Sequence, residues 1–313
     1  MSVEATCLIS KELPFTPYDI KWIPISSKLC VVGATGEGAG KISVYGLHGK
    51  QLELKHETET SSAIRCGTIT GQSRQLATGD FEGHLQIWDI QRFDIPLVSF
   101  KAHDSIINAI DSYNQAKEPQ ELVTASRDGT VKVWDVRQPE KAVLTITSKE
   151  TQKDIWAVAF GQFNGHKLVA VGYEDGNLKL FDVDGSQYIW QTNVKDGICS
   201  IDFNHEKLLV STLSGACLID IKTGNATEII STSEPANTLW SIRHIPQASE
   251  YFSVASGDGQ ISIFNQSSLT EPLHFLPLSK HPIISLDWHK DKKGLFACSS
   301  FDQTIKVGHA TIN

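Results

Sequence analysis

Seven times along this chain a tight turn is followed by a short run of alternating apolar residues. The clearest copy is SRDGTVKVWD, Ser126 to Asp135. GHLQIWD (Gly83 to Asp89), GNLKLFD (Gly176 to Asp182), GQISIFN (Gly259 to Asn265) and GKISVY (Gly40 to Tyr45) repeat its pattern. SGACLID (Ser214 to Asp220) and QTIKVG (Gln303 to Gly308) are degenerate copies. The turn residues Gly40, Gly83, Gly129, Gly176, Gly215, Gly259 and Gln303 follow one another at intervals of 39 to 47 residues. Alternation with period two marks a strand, and the turn marks a hairpin. A unit this short cannot bury its apolar face alone, so the copies must stack on one another.

A period in the low forties with a Trp-Asp ending is the signature of the WD repeat, in which each copy supplies one four-stranded propeller blade. The expected fold class is all-β: a seven-bladed WD-repeat β-propeller formed by the single domain 1–313. The repeats fall near 14–55, 61–100, 103–147, 153–192, 196–231, 237–276 and 281–311. Blade 3 sets out the scheme, with strands over Ile106 to Ile110, Glu121 to Ser126, Thr130 to Trp134 and Val143 to Thr147. Blade 7 runs out of chain after its third strand. Ala5 to Ser10 (ATCLIS) has the length and composition of the missing strand, so residues 5–10 are expected to complete the last blade and close the ring. An open blade would leave unpaired backbone edges. The segment Asn114 to Gln120, with Pro119 and charges, reads as a solvated loop, and blade 5 reads as the weakest blade because Ile219 replaces its aromatic anchor.

Net charge is -8 and no basic run appears, which disfavours nucleic acid as a partner. No apolar run reaches membrane-spanning length, so no membrane partner is expected. The six cysteines form no C-x-x-C pair, and reduced thiols in a cytoplasmic protein are expected. GEGAGK (Gly36 to Lys41) looks like a phosphate loop but is followed by a strand, so a hairpin turn explains it better. His56-Glu57 and His205-Glu206 lack a second histidine at helical spacing. No cofactor or metal is expected, and no enzyme activity.

Blade 3 carries His103, Ser126, Asp128 and Trp134, the residue types that form a buried hydrogen-bond chain in WD repeats. A buried indole N–H needs an acceptor, and Ser126 is the expected one. A buried aspartate needs His103 and backbone donors. A Ser-His-Asp catalytic triad is the rival interpretation, but there is no strained G-x-S-x-G elbow and blade 7 repeats the trio as His281, Ser300 and Asp302.

The loops between second and third strands emerge at the same end of the ring as those entering each blade, here called the top. Phe81, Arg127 and Phe301 occupy matching turn positions in blades 2, 3 and 7. Tyr18, Trp156 and Trp240 start the inner strands of blades 1, 4 and 6. Phe81, Tyr18 and Phe301 should therefore be neighbours on the top rim, with Asp19, Arg65 and Asn108 beside the channel mouth. Aromatics and Arg are the types enriched at binding hot spots, so this set is the candidate partner-binding surface. Packing of Trp156 and Trp240 between blades is the competing account.

LATGDFEGHLQIWD, INAID, TASRDGTVKVWDVRQ, GYEDGNLKLFD and SSFDQTIKV together resemble the Monad-type WD-repeat family of axonemal dynein assembly, in the same blade order and over nearly the whole chain. The resemblance implies a cytoplasmic adaptor that works with a co-chaperone complex of RuvB-like ATPases and a prefoldin-like module on dynein chains, as a monomeric propeller within a larger complex. The chain departs from the family in a short connection from Gln266 to Lys280 and in the lost anchor at Gly308. Two rivals stand beside a non-catalytic scaffold. WDVR (Trp134 to Arg137) resembles the box by which WD receptors dock a cullin ubiquitin ligase, and some propellers resemble hydrolases.

Overall fold

The computed structural model describes residues 3–71, 74–113, 120–147, 153–231, 237–267, 269 and 271–312. The segment 114–119, expected to be a solvated loop, lies outside the described residues. All the described regular structure is strand, arranged as seven four-stranded antiparallel sheets. Together the sheets form a seven-bladed propeller. In blade 3 the strands run Ile107–Tyr113, Glu121–Ser126, Thr130–Asp135 and Leu144–Thr147. The second strand is buried along its whole length, while the outer strand alternates and faces solvent on one side. That gradient is what a sheet stacked between two neighbours and exposed at its rim requires.

The inner strands are Thr16–Trp22, Ile64–Ile69, Ile107–Tyr113, Ile155–Phe163, Ile198–Asn204, Leu239–Ile245 and Ile283–Trp288. Apolar side chains gather into seven clusters, and each draws on two adjacent blades. The core is thus a set of inter-blade interfaces, not one central mass. This is the stacking that a repeat unable to bury its own face demands.

Closure follows the expected route. Val3–Glu12 pairs antiparallel with Thr304–Ile312, from Val3 opposite Ile312 to Glu12 opposite Thr304, with one bulge between Cys7 and Ile9. Val3 and Ala5 are buried among blade 6 and 7 side chains that include Ile245, Tyr251 and Trp288. The first strand therefore adds both a backbone ladder and an apolar seal.

Turn conformation and packing account for the two degenerate repeats. Gly83 has φ 83°, and a Cβ there would stand 2.3 Å from the carbonyl oxygen of His103, so only glycine fits. In blade 7 the same turn is made by Gln303 at φ 59°, a left-handed conformation that costs a side-chain-bearing residue about 1–2 kcal/mol. The lost anchor at Gly308 is filled from across the sheet. Phe296 pairs with Gly308, and its ring lies 2.2 Å from where a Gly308 Cβ would be. In blade 5, Ile219 is fully buried in the cluster shared with blade 4 and takes the place of an aromatic.

Candidate functional site

The polar chain of blade 3 forms with one change of partner. The Trp134 indole donates to Thr124 Oγ1 at 2.8 Å, not to Ser126. Thr124 Oγ1 also lies 2.8 Å from His103 Nε2, and His103 Nδ1 lies 3.0 Å from Asp128 Oδ2. Register gives the reason. Leu122 pairs with Trp134 and Thr124 with Lys132, so Thr124 is the diagonal neighbour of the indole on its own face. Ser126 stands two residues further along, about 7 Å away. Its hydroxyl donates to Ser105 O and accepts from Asp128 N. The same arrangement recurs in blade 2, where the Trp88 indole donates to Thr78.

Protonation follows from the partners. An ionised Asp128 only accepts, so His103 Nδ1 carries the proton and Nε2 accepts from the Thr124 hydroxyl. Burial holds the His103 imidazole below its usual pKa, outweighing the pull of Asp128. Burial alone would raise Asp128, but hydrogen bonds from His103 and Thr130 hold it well below the usual carboxylate range. His103 is 1% exposed, and no hydrogen bond joins it to Ser126, so the triad geometry is not assembled. In blade 7 the position matching His103 is Ser279, which donates to Asp302 at 2.8 Å and accepts from Ser300. His281 is exposed and joins the group through its backbone, its N–H donating to Ser279 and its carbonyl oxygen accepting from Ser300. The register of the inner strand, four residues after the capping side chain, separates His103 from His281.

At the top of the ring the structure divides the eight candidate residues. Tyr18 and Phe81 have ring centroids 5.6 Å apart, Tyr18 and Phe301 6.4 Å, and Phe301 and Trp240 6.3 Å. These four form one aromatic arc across blades 2, 1, 7 and 6. Trp240 joins it although only the other three were expected as neighbours. Phe301 is 38% exposed; Phe81, Tyr18 and Trp240 are half-buried. The Arg65 guanidinium lies 5.8 Å from the Tyr18 ring centre. The remaining three serve other contacts. Asn108 donates to Ile155 O in blade 4 at 2.8 Å, and Arg127 pairs with Asp154 at 3.1 Å. Trp156 is half-buried against Gly197 of blade 5.

Inside the arc lies a central cavity of about 750 Å³. It is lined by Tyr18, Arg65, Trp156, Trp240 and Phe301 near its mouth. Below them stands Asp19, expected near the channel mouth, together with charged residues that sequence reasoning did not single out: Asp111, Asp202, Asp287, Lys21 and Arg243. Asp111, Asp202 and Asp287 hold one repeat position in blades 3, 5 and 7. Each accepts the backbone N–H of the next blade's inner strand, from Phe160, His244 and Trp22 at 2.7–2.9 Å. The signal was legible as INAID, ICSID and IISLD, had the inner strands been aligned as the third strands were.

Two further motifs have simple local geometry. Gly36 to Gly38 form a hairpin turn closed by Thr35 N donating to Ala39 O at 2.8 Å. Arg137 of the WDVR box folds back on Asp135 in a two-pronged contact at 2.6–3.2 Å and is 68% exposed. His166, Asp182 and Asp184 bring three ligand atoms within 4.8 Å at the rim of blade 4, a cross-strand grouping with no sequence spacing to reveal it. Lys167 already stands 3.6 Å from Asp184 there. No helix among the described residues is long and apolar enough to cross a membrane.

Seven blades, inter-blade cores and buried indole–hydroxyl pairs define a WD40 propeller. The family model for the WD domain, G-beta repeat, matches residues 95–135 and 270–307, and that for the anaphase-promoting complex subunit 4 WD40 domain matches 118–206. The chain is 38% identical to the dynein axonemal assembly factor 10 of Xenopus tropicalis and to that of Homo sapiens, in each case over 96% of this chain and 94% of the relative. Identity to the protein of that name from Chlamydomonas reinhardtii is 35%, over 97% and 95%. The chain belongs to the dynein axonemal assembly factor 10 family.

Proposed function

We propose that this chain is a non-catalytic cytoplasmic scaffold for the preassembly of axonemal dynein arms, and that it docks proteins on the aromatic arc of its top face. The observation that carries this reading is the near-full-length identity to relatives named as dynein axonemal assembly factors. The arc supports the location: four aromatic rings and Arg65 are gathered on a rigid ring and partly exposed to solvent. A preorganised surface binds with little ordering cost, which suits a scaffold. In this reading the partners are dynein chains and a co-chaperone complex of RuvB-like ATPases with a prefoldin-like module.

The test is affinity purification from a ciliated cell with the wild-type chain and with the Phe81→Glu/Phe301→Glu double variant. The wild type is expected to recover dynein chains and RuvB-like ATPases, and the variant to lose them while melting within a few degrees of wild type. Recovery of cullin ligase subunits instead, lost on Arg137→Ala, would replace the scaffold reading. Undiminished recovery by the double variant would remove the arc as the docking surface.

A further inference from the structure

We propose that the central cavity accepts a cationic side chain, a lysine or arginine presented by the protein segment that docks on the arc. This rests on the reading of the arc as a docking face and adds the chemistry of what enters.

The mouth is suited to a cation. Ring faces attract ammonium and guanidinium groups, most strongly where water is excluded. The chain already demonstrates this on its own rim, where Arg65 lies over Tyr18. Phe301 stands beside Tyr18 on one side and Trp240 on the other, and both Phe301 and Trp240 line the cavity without a cation placed over them among the described residues.

The interior completes the match. Four aspartates line it, and they differ in what they hold. Asp19 is paired with Lys21 at 2.5 Å, and it also accepts from Ser285 and from Gly67 N. Asp202 is paired with His244 at 2.9 Å. Asp111 and Asp287 have no basic side chain within 4 Å among the described residues. Asp111 accepts from Ser112 N and Phe160 N, and Asp287 accepts from Trp22 N. Backbone donors satisfy geometry but supply no full positive charge. Burial accordingly pushes both carboxyls above the usual range, against the weaker pull of those backbone donors, of Lys290 and Arg243 on both, and of Lys21 on Asp287. Arg243 spends its Nη1 on Ser200 Oγ, Ile201 O and Ile242 O, all neutral acceptors. A guest cation placed near Asp111 and Asp287 gains two carboxylates that no resident base holds.

Dimensions agree. A volume of about 750 Å³ lies in the range of small-ligand pockets. Ile284 occupies the repeat position of Tyr18, and Asp287 follows three residues later. The carboxylates therefore sit about 10 Å below the aromatic level, a depth that selects a long side chain. A guest carboxylate would be drawn to Arg65 and Arg243 but would face Asp111 and Asp287, and its preference is the opposite outcome of the test.

The experiment titrates the full chain with four capped tripeptides, acetyl-Gly-Xaa-Gly-amide, where Xaa is arginine, lysine, citrulline or glutamate. Binding is followed by backbone-amide NMR shifts of the inner strands. Arginine or lysine is expected to bind at least about tenfold tighter than citrulline, which has arginine's shape without its charge. The Asp111→Asn/Asp287→Asn variant keeps one amide oxygen to accept from Phe160 N and one to accept from Trp22 N, gives up the bond from Ser112 N, and is expected to erase that difference. The proposal is overturned if citrulline binds as well as arginine, if glutamate is preferred, or if no cationic peptide gives saturable shifts. The citrulline comparison uses wild-type protein, so it decides the matter even if the double variant folds poorly. Should the aspartate variant keep native partners that the Phe81→Glu/Phe301→Glu variant loses, the docking face stands and the cation site falls.

Discussion

Replacing Thr124 by valine isolates the polar chain of blade 3, because it removes one hydroxyl and keeps the shape. Thr124 is fully buried, and its hydroxyl is the acceptor for the Trp134 indole and the donor to His103 Nε2. Valine leaves a buried N–H and a buried ring nitrogen without partners, with Trp134 4% and His103 1% exposed. Each orphaned group costs about 1–3 kcal/mol, so the expected loss is about 2–6 kcal/mol. That is a large part of a typical domain's total of about 5–15 kcal/mol. Equilibrium urea unfolding followed by circular dichroism reads it as a lower midpoint at unchanged slope. Ser126→Ala is the internal control. It removes a single hydroxyl bonded to Ser105 O and Asp128 N, for an expected loss of about 1 kcal/mol. In a double-mutant cycle with Trp134→Phe, the coupling to Thr124→Val is expected to be about 1 kcal/mol or more. A Thr124→Val protein within about 0.5 kcal/mol of wild type, or a Ser126→Ala loss exceeding it, refutes the chain as drawn.

The same chain predicts a pH dependence. Burial depresses the His103 pKa in the folded state, so below about 6.5 the unfolded chain binds a proton that the folded one resists, and stability falls on acidification. His103→Gln should flatten the slope of stability against pH between about 5 and 7; an identical slope in the variant contradicts the neutral buried imidazole. Deleting residues 1–12 removes the strand paired with Thr304–Ile312 and should yield an aggregating product by light scattering. Melting as in wild type would show that this strand does not hold the ring shut. Gln303→Gly relieves a left-handed backbone and should raise stability by about 0.5–1 kcal/mol in the same urea assay, whereas a loss would mean the Gln303 side chain contributes more than the strain it costs.

The blade count, the closing strand and the neighbourhood of Tyr18, Phe81 and Phe301 were readable from the chain. They follow from local chemistry repeated at a fixed period: turn residues that favour left-handed backbone, strands that alternate, and equivalent positions that superpose by symmetry. Ser126 was assigned the role of Thr124 because both lie on the same face of one strand, and only the register against the third strand tells which reaches the indole. His281 was matched with His103 by residue type, although Ser279 holds that place once the inner strands are aligned.

What the amino-acid order could not decide is how neighbouring blades share their polar groups. Asn108 and Arg127 looked available on a map of one blade, yet each is bound by the next blade, to Ile155 O and to Asp154. Asp111 and Asp287 were not singled out, yet the ring turns both toward one cavity, with no basic side chain within 4 Å among the described residues. Strand and turn are set within a few residues, so a linear pattern carries them. Whether a charged or aromatic side chain is satisfied depends on atoms forty residues away, and those arrive only when the blades close into a circle.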